Sequence, residues 1–167
     1  MSILEVGPGF GKWGVLLREY LEVYGNMRFH DEEWKIRIDA IEICEDYKNK
    51  LKEDVYSFLY WGDIMHHVDS AFMIKYELVI MLDVIEHLDK EEGISLINKL
   101  KQYADNILIM TPKKLSMTHS AWHDINKHED HKCVWTADEF IKLGFMIIQD
   151  KDGPLIARWN KTPKNLN

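Results

Sequence analysis

Three glycines at alternate positions, Gly7, Gly9 and Gly11, follow the short apolar run Ser2-Ile3-Leu4-Glu5-Val6 and precede a segment with helical spacing. Glycine lets the backbone turn sharply and lets a ligand come close to the chain. The N-terminus of the helix beyond offers free N–H groups and a positive dipole end to a carboxylate or phosphate. A plain strand-to-helix turn rarely needs glycines so spaced, and the loop is read as cofactor-binding. Two cofactor classes use such a loop. Gly9-Phe10-Gly11-Lys12-Trp13-Gly14 fits the G-x-G-x-x-G of dinucleotide enzymes. That fingerprint expects an acid about 20 residues further on, and the best strand-end acid, Glu42, lies well beyond that spacing. A dinucleotide enzyme would also need a second mononucleotide-binding half and a substrate domain, for which 167 residues are few.

A second concentration of reactive side chains is His119-x3-His123-x4-His128-Glu129-Asp130-His131-x-Cys133. Histidine, carboxylate and cysteine at short spacing can hold zinc or another transition metal. The paired short spacings of structural zinc sites are absent, so no metal is assigned. A substrate-pocket loop is the leading reading, ahead of a solvated loop and a metal site.

These residues must be positioned by an alternation of short apolar runs and longer amphipathic ones. Strands are expected at Ser2–Val6, 36–43, 55–61, 77–82, 106–110, 145–149 and 155–159, the run Leu78-Val79-Ile80-Met81-Leu82 being the clearest. Helical spacing covers residues 11–24, where Trp13, Val15, Leu16, Tyr20, Leu21 and Tyr24 recur, then 46–52, weakly 64–74, and 90–103. Thr136 is expected to cap a helix running to Leu143, with Asp138 and Glu139 favouring its first turn. Residues 113–134 lack clear periodicity, and a loop of that length is usually functional. Strand–helix alternation with continuous apolar strands predicts an α/β fold: a three-layer, doubly wound sandwich around a mostly parallel seven-stranded sheet. The last two strands, joined by Asp152-Gly153-Pro154, must run antiparallel to each other.

At this point the sequence resembles the class I S-adenosylmethionine-dependent methyltransferases, of the type acting on small molecules and in sugar pathways. Glu5-Val6-Gly7-Pro8-Gly9-Phe10-Gly11 is similar to that family's E/D-x-G-x-G-x-G loop. Glu42, within Ile41-Glu42-Ile43, matches the acid that holds the ribose hydroxyls. Gly62-Asp63-Ile64 matches the segment that contacts adenine, and Leu82-Asp83-Val84-Ile85-Glu86-His87-Leu88 resembles the family's D-x-x-E-H-L. The likeness runs from Ser2 to about Trp159, and it is the order of the four elements that makes it specific. It implies S-adenosylmethionine as cofactor, bound by Glu5, Gly7, Gly9, Gly11, Glu42, Ile43, Asp63, Ile64, Leu82 and Asp83. Asp83 would meet the amino group of the methionine part. A hydroxyl acceptor needs a base near neutral pH. His87, just past the fourth strand, is the first candidate and His131 the second. The stretch Asn126 to Trp135 is similar to an N-x-x-E-x-H-x-x-x-W-like segment found before the final helix in some members.

The chain carries 21 Lys+Arg against 28 Asp+Glu, net charge −7, with the acids spread along its length. Nucleic-acid binders usually gather a basic excess on one face, and no N/D-P-P-Y/F follows the fourth strand. Both features argue against a nucleic-acid acceptor and for a small molecule. Two cysteines, Cys44 and Cys133, make no disulfide framework. No apolar run reaches the roughly 20 residues of a membrane span, and no leader pattern opens the chain. The expectation is a reduced, cytoplasmic protein in which residues 1–167 form one domain. Relatives usually carry one or two helices ahead of the first strand, covering the cofactor. The resemblance thus implies preceding chain, a cover supplied by a partner, or an open site, and a homodimer is one way to bury the uncovered apolar surface. Two other readings stay open: a cofactor-binding or partner subunit without catalysis of its own, and an NAD(P)-dependent oxidoreductase.

Overall fold

The computed structural model describes residues 1–70, 74–114 and 127–161. Seven strands, β1 (Ser2–Val6), β2 (Arg37–Glu42), β3 (Phe58–Trp61), β4 (Leu78–Leu82), β5 (Asn106–Thr111), β6 (Met146–Gln149) and β7 (Leu155–Asn160), form one sheet in the order β3-β2-β1-β4-β5-β7-β6. β1 lies between β2 and β4, parallel to both, in registers that pair Val6 with Ile41 and with Met81. β7 alone runs against its neighbours, pairing antiparallel with β5 and β6. The sheet is therefore mostly parallel, and the expected antiparallel pairing of the last two strands is met by reversal of β7.

Among the described residues five α-helices cover it: α1 (Lys12–Arg18), α2 (Lys50–Val55), α3 (Ile64–His67), α4 (Lys90–Tyr103) and α5 (Ala137–Lys142). Side chains alternate across a strand, so β1 supplies both faces. Ile3 packs with Ile38, Val55, Tyr56 and the α1 residues Val15 and Leu17. Leu4 and Val6 pack on the other face with Ile64, Leu96, Ile97, Leu100, Trp135 and Phe140. Helices α1 and α2 thus cover one face, and α3, α4 and α5 the other.

Some boundaries differ from the periodicity. The segment 11–24 is α-helical only to Arg18 and continues as a π-helical turn, Glu19–Tyr24. The wider turn buries Glu22, which accepts the N–H groups of Lys35 and Ile36 at 2.9 and 2.6 Å and pairs with Arg28 at 2.9 Å. Helix α2 begins after Asn49, whose side chain accepts the Lys52 N–H at 3.0 Å, so Val55 ends a helix where a strand start was expected. Thr136 does cap α5, in a reciprocal pair with Glu139. His119, His123 and Asn126 lie outside the described residues. Among the described residues no helix is long and apolar enough to cross a membrane.

The chain fills the sheet from β1 outward through β2 to β3, then returns to start β4 on the other side of β1. Between β1 and β4 the order reverses, and at such a switch point the loops leaving the strands diverge and open a crevice at their carboxyl ends.

Candidate functional site

A cavity of about 600 Å³ lies at that crevice. Its walls come from the carboxyl ends of β1, β2, β3 and β4 and from the segment before α5. The glycine loop contributes Gly7, Pro8, Gly9 and Phe10; β2 contributes Glu42 and Ile43; the turn after β3 contributes Asp63 and Ile64; and the end of β4 contributes Leu82, Asp83 and His87. Four elements far apart in sequence therefore meet on one wall.

Gly7 has φ +67°, and a Cβ there would sit 2.6 Å from the Val84 side chain. Glycine is thus required twice over, by backbone conformation and by the close approach of the β4 turn. The loop is also tied to β2. Glu42, 3 % exposed, accepts the N–H of Gly9 and the N–H of Cys44, each at 2.9 Å. Lys52, fully buried on α2, donates to the Gly9 carbonyl at 2.8 Å and lies 3.7 Å from the Glu42 carboxylate. Burial lowers the Lys52 pKa, and Glu42 opposes that. Sequence reasoning missed Lys52, because a lysine on a short amphipathic helix reads as solvated. A carboxylate has about four lone-pair sites, so Glu42 keeps acceptor capacity toward the cavity.

Asp63 lines the cavity and also caps α3, accepting the Met65 N–H at 2.8 Å. Asp83 sits in the left-handed region at φ +59°, a conformation that side chains other than glycine or Asn/Asp seldom adopt and that recurs at functional sites. Burial raises its pKa, against the pull of His131 and His87.

Not every expected residue is on the wall. Glu5 and Gly11 lie behind the loop rather than among the residues lining the cavity. The Glu5 carboxyl, 2 % exposed, accepts the Tyr56 hydroxyl at 2.7 Å, and burial pushes its pKa up to about 7. Burial and Glu5 together raise the Tyr56 hydroxyl. Gly14 makes room for this pair, since a Cβ there would lie 2.4 Å from the Tyr56 oxygen. Gly11 packs on the Lys52 stem, at 3.0 Å from the position of a Cβ.

At the end of β4 the two expected histidines come together. The rings of His87 and His131 lie edge to face, 4.8 Å between centroids. His87 Nδ1 is 3.1 Å from the Asp130 carbonyl. A carbonyl only accepts, so Nδ1 carries the proton in that bond and the neutral ring keeps its lone pair on Nε2. His131 sits behind His87, and burial lowers its pKa, with His87 adding to the effect. Its position is fixed by its neighbours: Lys132 and Cys133 donate their N–H groups to the Glu86 carbonyl at 2.8 and 3.2 Å. Trp135, 1 % exposed, donates to the Ile85 carbonyl at 3.2 Å. Glu86 itself, 1 % exposed, accepts the Thr111 hydroxyl at 3.0 Å, and burial pushes its pKa up to about 7. Across the mouth, the Tyr47 hydroxyl donates to Glu129, and the Tyr47 ring meets Phe10 edge-on, 4.9 Å between centroids.

No protein-family profile matches the chain, and no curated protein matches it. Solved structures do match. An O-methyltransferase family protein from Burkholderia thailandensis superposes with TM-score 0.63 at 9 % identity, over 96 % of this chain and 51 % of that one. The N-terminal domain of EvdMO1, with SAH bound, gives TM-score 0.66 at 12 % identity, over 97 % and 75 %. Magnesium protoporphyrin IX methyltransferase (ChlM) from Synechocystis PCC 6803, with bound SAM, gives 0.57 at 17 %, over 96 % and 69 %. The chain spans about half the length of the Burkholderia protein. It has the fold of the class I S-adenosylmethionine-dependent methyltransferases.

Proposed function

We propose that the chain is a methyltransferase that uses S-adenosylmethionine and methylates a small molecule at a hydroxyl or carboxyl oxygen. One observation carries this reading: the cavity at the β1/β4 switch point is lined, in chain order, by the glycine loop, Glu42, Asp63-Ile64 and Asp83. Solved neighbours of the same fold that hold SAM or SAH support it. The whole chain is then one cofactor-binding domain, and its acidic balance favours a small acceptor over a nucleic acid.

When bound, S-adenosylmethionine supplies an electrophilic methyl group on a sulfonium. Glu42, held in place by the N–H groups of Gly9 and Cys44, would offer its remaining lone pairs to the ribose hydroxyls. Ile43 and Ile64 would pack on the adenine, and Asp63 would accept from its amino group. The Asp83 carboxylate would meet the amino group of the methionine part. The glycine loop lets the backbone close on the cofactor, with Glu5 behind it as structural support. Methyl transfer is an in-line displacement, so alignment and exclusion of water are the chief tasks, worth on the order of 7–11 kcal/mol in the best intramolecular cases. A hydroxyl acceptor must also lose its proton; His87, on the cavity wall just past β4, is the first candidate base, and His131, whose ring lies against it, the second.

Calorimetric titration with S-adenosylmethionine, S-adenosylhomocysteine and NAD(P)H tests the reading, followed by an acceptor panel scored for methylated product. Micromolar binding of the first two alone, with product from an alcohol or acid, is the expected result. Binding of NAD(P)H alone would overturn it, and cofactor binding with no product from any acceptor would leave a binding subunit.

A further inference from the structure

The Glu86 carboxyl oxygen Oε1 and the His131 ring nitrogen Nδ1 are both buried and without a hydrogen-bond partner. Buried polar atoms are rarely left so, because each forfeits its bonds to water and gains nothing in exchange. The two belong to one cluster. One ligand atom each from Glu86, His87 and His131 lies within 4.8 Å of the other two. Glu86 is 1 % exposed, so its orphaned oxygen is shut off from solvent.

We propose that Glu86, His87 and His131 form a binding site for a divalent first-row transition cation on the cavity wall. The donor set, two imidazoles and one carboxylate, suits zinc and its neighbours and disfavours magnesium, which prefers oxygen ligands. The supporting bonds are those a metal site requires. His87 donates its Nδ1 proton to the Asp130 carbonyl at 3.1 Å, which fixes the tautomer and leaves Nε2 to bind. The Thr111 hydroxyl holds the other oxygen of Glu86 at 3.0 Å, which fixes the carboxyl and leaves Oε1 without a protein partner. The Lys132 and Cys133 N–H groups pin the loop carrying His131 onto the backbone of Glu86. Metal–nitrogen and metal–oxygen bonds of about 2.0–2.2 Å would draw the three atoms inward, and no bond to protein holds either orphaned atom back.

His87 lines the cavity, so the cation keeps coordination positions open on that side. As regards catalysis, the inference rests on the reading of the cavity as the methyl-transfer site. An acceptor hydroxyl bound to the cation becomes more acidic and loses its proton to solvent. Its oxygen forms the new bond to the methyl carbon, while the carbon–sulfur bond breaks and its electron pair stays on sulfur. With the cation bound, the two histidines serve as its ligands, and this replaces the base role they hold in a metal-free site.

The test uses the whole chain stripped with EDTA. It is titrated with cobalt(II) by visible absorption, and with zinc(II) and magnesium(II) by calorimetry; S-adenosylhomocysteine binding is measured in parallel. One equivalent of cobalt and zinc should bind, and magnesium should bind far more weakly. Glu86→Gln, which keeps an acceptor for Thr111, and His131→Ala should each weaken uptake by at least tenfold, since losing even an outer partner of a metal ligand costs about 10–100-fold. Both variants should retain S-adenosylhomocysteine binding, which reports an intact fold. Failure of the wild type to take up one equivalent, or uptake unchanged in both variants, would overturn the site. Metal uptake without S-adenosylhomocysteine binding would instead overturn the methyltransferase reading and leave the site standing.

Discussion

Burial gives the strand-end carboxylates different tasks, and the difference can be read in how each responds to substitution. Glu5 is a structural acid: buried, bonded to Tyr56 and shifted up to about 7 from an ordinary 4.5. Below about pH 4.5 it is protonated in folded and unfolded chains alike. Above that only the folded chain holds the proton, so folding loses stability as pH rises through about 7, by at most about 3 kcal/mol for a shift of this size. Glu5→Gln, which can still accept the Tyr56 hydroxyl, should remove that share of the decline. Denaturant unfolding at pH 5 and pH 8 measures it; equal declines in variant and wild type would refute the assignment. Glu42 by contrast faces the cavity, and Glu42→Ala should weaken S-adenosylmethionine binding by roughly 1.5–3 kcal/mol, the usual loss for a hydrogen bond to a charged group. A folded variant with unchanged affinity would remove Glu42 from the ribose site. That Glu42, Asp63 and Asp83 line one cavity was expected from the family resemblance, whose motif segments each end or follow a strand. Lys52, Tyr56 and Glu86 were not legible in the sequence, because their meaning comes from what surrounds them after folding. Glu86 is adjacent to His87, yet only its burial beside Thr111 separates it from a solvated acid.

The elements act as mounts, and two of their contacts decide where the reactive side chains stand. Gly7 lets the β1–α1 loop lie against Val84 in the turn after β4, so the two halves of the cavity wall share one contact. Gly7→Ala forces a Cβ into that contact at φ +67°, combining overpacking with backbone strain, each on the order of 1–3 kcal/mol. A fall in thermal midpoint with a larger loss of cofactor affinity is expected by scanning calorimetry and titration. Full affinity would mean the wall is not built that way. Trp135 mounts the other side. It stacks on Phe140 at 5.1 Å between centroids and lies against Gly93 of α4, where a Cβ would come 2.6 Å from its ring. Its indole N–H holds the Ile85 carbonyl, one residue before Glu86. Trp135→Ala should destabilise the fold by about 3–5 kcal/mol, the usual range for an aromatic core truncation, and denaturant midpoints would report it. Strands were legible because parallel strands buried on both faces read as continuous apolar runs. Helix starts were less so. Asn49 moves α2 past the residues whose spacing first suggested it, and the π-helical turn at Glu19–Tyr24 follows from buried ion pairs that a 3.6-residue pattern does not encode.

At the scale of the molecule, strand alternation identified the fold class but not the strand order. The reversal between β1 and β4 that opens the cavity, and the insertion of β7 between β5 and β6, are long-range choices. They follow from which faces must be covered and from the right-handed crossovers between parallel strands. The closure of the cavity is likewise a long-range property. Tyr47, after β2, reaches Glu129, ahead of α5, so the adenosine side of the proposed site is linked to the histidine side across the mouth. Nothing in the spacing of either residue announces the other. The link joins two rims that are otherwise carried by different elements, and such a strap governs exchange of whatever lies beneath it more than its equilibrium alignment. Tyr47→Phe removes the hydroxyl while keeping a ring against Phe10. Because both partners are partly solvated, the bond is worth about 1 kcal/mol rather than the full value of a buried charged one. Release of S-adenosylhomocysteine, followed by stopped-flow fluorescence, should therefore quicken about fivefold, with association little changed because the encounter still precedes closure. If release is unchanged in a folded variant, the two rims close independently of each other, and the mouth of the cavity is held by the sheet alone.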